Sequence, residues 1–448
     1  MTNLIPENVL KVYKKLEENG FEVFLVGGSV RDLLLGRSVK DWDLTTNAKP
    51  QEISNIFKDS FYDNNFGTVG IPSVIDKKAH VIEITTYRTE STYNDNRHPE
   101  SVTWGRSIEE DLQRRDFTIN AIAMRSNGEI IDPYNGKKDL QDKILRAVGD
   151  ANSRFKEDAL RLLRAVRIST QLKFDIEEKT LQKISEDAHL IEHVSFERIK
   201  TETLRILLCE NAYEGIMLLK ETGLLQYIIP ELLEGVDISQ KRPGRHHTED
   251  VFTHNVLSLK FCPSKDPIVK FATLIHDIGK PKAQRKDEQG LVIFHNHEMV
   301  GAKIAEKICE RLKFSNKEKE KVITLIRWHM FSVNENQTDS AIRRFIRKIG
   351  VENVKDMMDL RVGDRLGGGT QTAESWRLKL FKQKIEEQLK PAPFSINDLA
   401  VDGNDIIRIL KIKPGPQIGK ILHVLFEEVD EDLSKNNKVY LEKRISEL

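Results

Sequence analysis

One stretch near the start of the chain, residues 26–46, limits the possible folds more than any other. It reads VGGSVRDLLLGRSVKDWDLTT and follows an apolar run at residues 21–26, which predicts a strand, a glycine turn, a short helix and a second strand. Side chains alternate across a strand, so Asp41 and Asp43 would share one face, about 7 Å apart at Cα. Two such carboxylates can hold a pair of Mg²⁺ ions, whereas an isolated Asp pair is usually only solvated. The glycines would let phosphates approach the backbone beside Arg31.

This stretch resembles the first motif of the class II nucleotidyltransferases, the tRNA CCA-adding enzymes and bacterial poly(A) polymerases that share a polymerase-beta-like head. The resemblance implies that Asp41 and Asp43 are catalytic and hold the metal ions, expected to be Mg²⁺. It also implies a third carboxylate on a neighbouring strand, for which Glu83 in the alternating run 80–87 is the candidate. The nucleotide contacts implied in this stretch are Gly27, Gly28 and Arg31.

Length and composition indicate a protein of several domains that works in a reducing environment. A chain of 448 residues is too long for one core, and 31% charged with 7% aromatic residues suits helices with long exposed faces. The formal net charge is zero, so nucleic-acid binding would depend on local basic patches. Three scattered cysteines, no signal-peptide pattern and no apolar stretch of bilayer length predict a cytoplasmic protein without a membrane partner.

A polar segment without periodicity, residues 88–106, predicts a long exposed loop. It resembles the flexible loop that CCA-adding and A-adding members possess and CC-adding members have shortened. The loop therefore argues against an enzyme that adds only C.

The next segment, QRRDFTINAIAM at residues 113–124, is similar to a second motif of the same family. Its alternating apolar residues predict a strand. Arg115 is suited to a triphosphate oxygen and Asp116 to a ribose hydroxyl, because a guanidinium fork fits phosphate and a carboxylate accepts from a hydroxyl.

Residues 155–172 predict one continuous helix with charged side chains along one face. For an anonymous helix, a solvated face of ion pairs would be the better interpretation. A carboxylate and a guanidinium could instead select C and A over U and G by mimicking a complementary base, and Asp158 and Arg161 match the family's EDxxR templating pair. Arg164 and Arg167 lie one and two turns further on, where they could hold the base or the triphosphate.

Histidines cluster in the second half of the chain, where the order H…HD…D resembles the HD phosphohydrolase superfamily. His276 and Asp277 fall in an apolar run, residues 269–278, predicted as helix. A lone buried histidine is usually a core residue, but this combination suits Mn²⁺, Ni²⁺, Fe²⁺, Zn²⁺ or Mg²⁺ and the cleavage of phosphoesters. The metal candidates are His254, His276, Asp277, His297, His329 and Asp364.

These observations predict an α+β protein with a small polymerase-beta-like α/β head followed by helical neck, body and HD domains. We expect the head at residues 1–145, a neck and body carrying the templating helix at 146–240, an HD metal-binding domain at 241–370 and a tail that could contact tRNA at 371–448.

The resemblance implies template-independent addition of CCA to the 3′ end of tRNA from CTP and ATP, with a phosphohydrolase activity of the HD domain. An A-adding enzyme or poly(A) polymerase shares the same motifs, and an HD phosphodiesterase acting on RNA ends is an alternative of another class. A pure RNA-binding module would leave the metal sites unexplained. The oligomeric state, monomer or homodimer, stays open.

Overall fold

The computed structural model describes residues 4–63, 67–75, 78–88, 104–240, 250–334, 337–389 and 395–448. Most of the predicted loop at 88–106 and the start of the predicted domain at 241 lie outside the described residues. The chain forms two compact units, Met1–Pro230 and Glu231–Leu448. Among the described residues, no helix combines the length and the apolar character that crossing a bilayer requires.

The first unit contains a seven-stranded sheet in the order β3-β4-β5-β2-β1-β6-β7. Strands β2 and β5 are parallel, and the other neighbours are antiparallel. The strands are β1 Val23–Val26, β2 Trp42–Thr46, β3 Phe61–Asp63, β4 Thr68–Ile75, β5 Lys78–Thr86, β6 Ala123–Met124 and β7 Ile130–Ile131. The helices around the sheet are α1 Glu7–Glu18, α2 Gly28–Leu34, α3 Pro50–Ile56, α4 Ile108–Gln113 and α5 Gly136–Asp142.

The strand, turn, short helix and strand expected at residues 26–46 are present as β1, α2 and β2. Every side chain of β1 is buried, and Trp42 on β2 is 4% exposed, so both strands belong to the core of the head. Asp41 lies one residue before β2, and Asp43 lies within it. The predicted α+β class is confirmed.

The strand predicted at residues 113–124 is wrong. Helix α4 runs to Gln113, a 3₁₀ turn covers Thr118–Asn120, and only Ala123 and Met124 pair as a strand. The Asp116 carboxylate accepts hydrogen bonds from the Phe117 backbone N–H and the Asn120 side chain, which favours a turn over an extended chain. Alternation is lost because both Ala121 and Ile122 are fully buried.

The rest of the first unit is helical, with α6 separated from α7 by a break that the sequence pattern did not predict. Asp158 has an extended backbone with φ −147° and ψ 100° and ends α6, so residues 155–172 are not one helix. An Asp158 oxygen accepts from the Leu160 N–H at 3.1 Å, which satisfies a free donor at the start of α7. These elements are α6 Ala151–Glu157, α7 Leu160–Leu172, α8 Glu178–Glu186, α9 Phe196–Leu207, α10 Ala212–Glu221 and α11 Leu225–Ile228, with the short pair β8 Ile144–Leu145 and β9 Asp175–Ile176.

The second unit is almost entirely helical, with one small hairpin. The helices are α12 Pro230–Leu233, which begins at the last residue of the first unit, α13 Val251–Phe261, α14 Pro267–Leu274, α15 Lys280–Ala283, α16 His297–Arg311, α17 Asn316–Trp328, α18 Asp339–Ile349, α19 Val354–Gly367, α20 Trp376–Gln388, α21 Gly403–Leu410, α22 Pro416–Glu431 and α23 Lys438–Glu447. The hairpin is β10 Arg285–Lys286 and β11 Val292–Ile293.

The last three helices form a small apolar core of their own, which includes Leu425, Val429 and Leu441. Arg343 on α18 and Asp430 on α22 are both 3% exposed and form an ion pair at 2.9 Å. Arg347 adds a second contact to Asp430 at 2.6 Å. These two arginines therefore fasten the last helices to α18, because a buried charge needs its partner.

Candidate active site and histidine–aspartate cluster

Strand pairing brings together the carboxylates predicted to be catalytic. In the parallel register of β2 and β5, Asp43 stands directly opposite Glu83. Burial first, and then the negative charges of Glu83 and Asp41, raise the pKa of Asp43 to about 7. Three carboxylates crowded at the inner strands β2 and β5 repel each other, so the donor set fits a divalent cation that would relieve this repulsion.

The backbone at Gly27 lies close to both Asp43 and Arg115. Its φ of +68° is a backbone conformation that residues other than glycine rarely adopt. A Cβ at this position would also lie 3.0 Å from Nη1 of Arg115 and 3.5 Å from Oδ2 of Asp43. A glycine here keeps open the space between a cation and an anion, which is where a nucleotide phosphate and its metal ion would have to fit.

Asp111 positions Arg115, and sequence reasoning missed it. The fully buried Asp111 carboxylate accepts from Arg115 at 2.9 Å and from Arg114 at 2.6 Å. Although burial raises the pKa of Asp111, these two guanidinium groups lower it to about 2, so the carboxylate is charged. Nε of Arg115 is buried without a hydrogen-bond partner among the described residues. The sequence did contain a signal for these ion pairs, because Asp111 lies three residues before Arg114 and four residues before Arg115.

A line of polar side chains joins Arg31 to Arg164. Arg31 donates to Asn120 at 2.9 Å, and Asn120 donates to Asp116 at 3.1 Å. Arg164 completes the line with Nε and Nη2 donating to one Asp116 oxygen at 2.9 and 2.6 Å. Burial raises the pKa of Asp116, but Arg164 outweighs burial and the pKa lies below its usual value. In this structure Asp116 therefore accepts hydrogen bonds from other side chains of the protein. Its contact with a ribose stays a prediction.

The predicted templating residues lie near each other but have different partners. Asp158 accepts from Arg198 at 2.7 Å. Arg161 donates to Glu157 at 2.6 Å and to the backbone carbonyl of Arg114 at 2.9 Å. Sequence reasoning missed Arg198 as a partner because the break before α7 turns Asp158 away from the helical register. The Asp158 and Arg161 pair therefore stays a prediction.

The guanidinium of Arg167 is already paired with other side chains of the protein. It donates to Glu202 on α9 at 2.5 Å and to Gln171 at 3.1 Å. Glu202 is 3% exposed, so this ion pair lies between α7 and α9. The predicted base or triphosphate contact of Arg167 would require it to leave these partners.

In the second unit the structure brings the six predicted metal ligands into one cluster. They come from different elements: His254 from α13, His276 and Asp277 from the turn after α14, His297 from the start of α16, His329 from the end of α17 and Asp364 from α19. Two sets, His254 with His276 and Asp364, and His276 with Asp277 and His329, have ligand atoms within 4.8 Å of one another.

Asp277 lies between two groups of imidazoles. Its Oδ1 is 3.1 Å from Nε2 of His297 and 3.5 Å from Nε2 of His329. Its Oδ2 is 3.3 Å from Nε2 of His254 and 3.4 Å from Nε2 of His276. One carboxylate thus faces two separate positions, an arrangement suited to bridging two cations.

Backbone carbonyls orient three of the imidazoles. Nδ1 of His276, His297 and His329 lies 2.7 to 2.8 Å from a carbonyl oxygen three residues earlier. When Nδ1 carries the proton and donates to that carbonyl, the Nε2 lone pair points into the cluster, as a metal ligand requires. The donor set and its orientation therefore fit divalent metal ions.

The helix predicted at residues 269–278 ends early, at Leu274, and this places His276 and Asp277 in a turn. Gly279 explains the turn, since a Cβ there would lie 2.1 Å from the carbonyl oxygen of His297 and 2.5 Å from the N atom of Gly301. Only glycine permits this approach to α16. Lys280, which follows, pairs with Asp277 and donates to Gln240 at 2.5 Å.

Lys280 keeps Asp277 ionised, and sequence reasoning assigned it no role. Burial raises the pKa of Asp277, but Lys280 and then His276 hold it well below its usual value. Asp364 also has a lowered pKa, because hydrogen bonds from His254 and His276 outweigh burial. Both carboxylates are therefore available as anionic ligands.

Exchange of Gly27 for alanine tests the open space between Arg115 and Asp43. We expect Gly27→Ala to lower kcat/KM for nucleotide incorporation by about 100-fold, because the Cβ would shift Arg115 and fill the space between its guanidinium and Asp43. Gly20→Ala is the matched control, since Gly20 has φ +84° with nothing within 4 Å of its Cβ position. Gly20→Ala should lose about 1 kcal/mol of stability from its positive φ, and Gly27→Ala should lose more, because φ +68° with ψ −136° lies outside the left-handed helical region. Equal activity of the two variants would contradict the assignment.

Comparison with known proteins agrees with this geometry. Residues 23–146 match the Poly A polymerase head domain, residues 173–235 the RNA and SrmB-binding site of polymerase A, and residues 284–445 the tRNA nucleotidyltransferase domain 2. The first match spans the sheet with Asp41, Asp43 and Glu83.

Similar proteins include a relative and a solved structure that each cover nearly the whole chain. The CCA-adding enzyme of Lactococcus lactis is 33% identical over 97% of this chain and 96% of its own length. The CCA-adding enzyme of Geobacillus thermodenitrificans is 44% identical over 51% of this chain and 55% of its own. The crystal structure of the Bacillus stearothermophilus CCA-adding enzyme in complex with CTP has a TM-score of 0.72 at 27% identity, covering 98% of this chain and 96% of that one. By its sequence along nearly its full length and by its fold, this chain belongs to the family of CCA-adding enzymes.

Proposed function

We propose that this chain adds C, C and A to the 3′ end of tRNA, using CTP and ATP and no nucleic-acid template, in the cytoplasm. The observation that carries this function is the register of β2 and β5, which sets Asp43 opposite Glu83 with Asp41 beside them. Membership of the CCA-adding enzyme family supports the same activity.

The chemistry is an in-line displacement at the α-phosphorus of the nucleotide. A bond forms from the terminal tRNA hydroxyl oxygen to the α-phosphorus, and the bond from this phosphorus to the oxygen bridging to the β-phosphate breaks. Pyrophosphate leaves, and the hydroxyl proton passes to solvent water. Divalent metal ions, here proposed to be Mg²⁺, supply activation of the hydroxyl and neutralisation of the leaving group. Asp41, Asp43 and Glu83 would hold them, and Arg115 would bind the triphosphate from a position set by Asp111.

Incorporation on three tRNA substrates tests this function. We expect tRNA ending at the discriminator base, at C and at CC to gain CCA, CA and A respectively, and then to stop, when CTP and ATP are both supplied. Asp43→Asn should abolish every addition, because it removes a charged metal ligand while keeping the side-chain shape. Addition of A alone would identify an A-adding enzyme, and unlimited A addition a poly(A) polymerase.

We further propose that Asp158 and Arg161 select the incoming base. Both are half-buried, Asp158 in the break that ends α6 and Arg161 in the first turn of α7, and one is an acceptor and the other a donor. On binding, a base would replace part of the contacts that Arg198 and Glu157 now make.

Loss of the Arg161 guanidinium should therefore reduce selectivity. A bidentate contact contributes about 1 to 3 kcal/mol of discrimination between bases, so Arg161→Ala should lower the ratio of CTP to UTP incorporation by about tenfold or more. Arg205→Ala is the control, because this exposed arginine pairs with Glu202 away from the proposed pair. An unchanged ratio together with weaker overall activity would assign Arg161 a structural role only.

A second function, metal-dependent hydrolysis of a phosphoester, is favoured by the position of Asp277 between two groups of imidazoles. Metal ions bound there would activate water and neutralise phosphate charge. The imidazoles and carboxylates of the cluster suit Mn²⁺, Ni²⁺, Fe²⁺, Zn²⁺ or Mg²⁺. The reaction adds water across a P–O bond: a new bond from water oxygen to phosphorus forms, and the leaving oxygen takes a proton.

Metal content tests this second function. Protein loaded with Mn²⁺ and passed through gel filtration should retain the metal, and Asp277→Asn should lose most of it because both positions share this carboxylate. Asp339→Asn, an exposed acidic residue at the start of α18, is the control and should retain it. Equal metal content in the Asp277→Asn protein would refute the ligand set.

A further inference from the structure

A cavity of about 300 Å³ in the second unit lies beside the histidine–aspartate cluster and is lined by positive charge. Arg361 and Arg365 on α19 and Arg377 on α20 line it together with Trp376. Three guanidinium groups around one small cavity repel each other and attract an anion. We call this cavity, defined by Arg361, Arg365, Trp376 and Arg377, the arginine pocket.

Two of these arginines have no carboxylate partner within the described part of the chain. Arg365 donates only a long bond, 3.5 Å, from Nη2 to the carbonyl of Thr372. Its Nε is buried and has no partner among the described residues. Arg377 lies over the ring of Trp376, with its guanidinium carbon 5.3 Å from the ring centre. A guanidinium without a carboxylate partner is suited to binding phosphate oxygens.

Trp376 adds an apolar surface to the same cavity. It is 59% exposed, at the first position of α20, where the Ser375 side chain accepts from the Leu378 N–H at 3.2 Å. This cap fixes the backbone at the start of the helix, from which the Trp376 side chain projects. An exposed indole beside arginines provides a flat face on which a nucleic-acid base can stack.

Helix α19 connects the arginine pocket to the cluster through one carboxylate. Oδ1 of Asp364 is 3.3 Å from Nε2 of His254 and 3.6 Å from Nε2 of His276. Oδ2 of the same carboxylate accepts from Arg361 at 3.1 Å. The Asp364 carboxylate thus contacts both Arg361, in the wall of the pocket, and two of the proposed metal ligands, His254 and His276.

From this arrangement we propose that the arginine pocket binds a nucleotide, with the base on Trp376 and one phosphate at Arg365 and Arg377, and presents a second phosphate ester of the same nucleotide to the cluster. The inference rests on the metal-dependent hydrolysis proposed above and names its substrate class, a nucleoside phosphate. Such a substrate can be free or can form the end of an RNA chain, since the recognised chemistry is the same. Hydrolysis of a terminal monoester gives the dephosphorylated nucleotide or RNA end and inorganic phosphate, whereas hydrolysis of an internucleotide diester gives shortened RNA and a free nucleotide.

Hydrolysis by the full chain loaded with Mn²⁺ tests the proposal with three probes. They are adenosine 3′,5′-bisphosphate, the trinucleotide CCA with a 3′-phosphate, and bis(p-nitrophenyl) phosphate, which carries neither a base nor a second phosphate. In Arg365→Gln/Arg377→Gln and in Trp376→Ala, we expect the KM for a nucleotide probe, divided by the KM for bis(p-nitrophenyl) phosphate, to rise about tenfold. An effect on the trinucleotide alone would assign the pocket to RNA ends, and an effect on both nucleotides to free nucleotides as well.

Lys379→Gln is the matched control, because Lys379 is an exposed cation on the same helix and does not line the cavity. Its KM ratio should equal that of the unaltered protein. An unchanged ratio in the pocket variants would overturn the nucleotide pocket while leaving hydrolysis by the cluster intact.

If no probe is hydrolysed, the proposed hydrolysis fails, and binding alone decides the pocket. The dissociation constant for the trinucleotide would then be measured by equilibrium dialysis with saturating CTP present to occupy the head. A tenfold higher constant in Arg365→Gln/Arg377→Gln supports the pocket, and an equal constant overturns it.

Discussion

The parallel pairing of β2 with β5 is the constraint on which the candidate active site depends. It places Asp43 opposite Glu83 and close to Asp41, although 39 residues separate the first two in the chain. Like charges held this close raise the pKa of Asp43 to about 7, with burial as the larger cause. Rigid strands maintain an arrangement that the carboxylates would otherwise avoid, and a divalent cation would stabilise it.

Near the carboxylates of β2 and β5, buried aspartates hold arginines in place. Asp111 fixes Arg115, and Asp116 fixes Arg164 and, through Asn120, Arg31. A buried carboxylate with guanidinium partners stays charged and limits the motion of both groups. A site built in this way can present positive charge to a triphosphate with little rearrangement, which lowers the free-energy cost of binding.

The second unit also assembles candidate metal ligands, but it does so with helices and a turn instead of paired strands. Four helices and the turn at Gly279 bring four imidazoles and two carboxylates together, and carbonyl contacts orient three of the rings. Asp277 is central because each of its oxygens faces a different group of histidines. The arginine pocket adjoins the same cluster through Asp364, so recognition and proposed chemistry share helix α19.

The sequence by itself determined the strand, turn, helix and strand around Gly27, the α+β class and the family, because these depend on local periodicity and on motifs within short segments. It also identified all six residues of the histidine–aspartate cluster by type and order. It could not reveal the break at Asp158, the turn at residues 118–120 or the early end of α14, since side-chain hydrogen bonds and close backbone approaches override local propensity there. Only the tertiary structure decided which charges meet, such as Asp158 with Arg198 and Arg343 with Asp430, because those partners are 40 and 87 residues apart. No periodic pattern in a sequence encodes contacts over such distances.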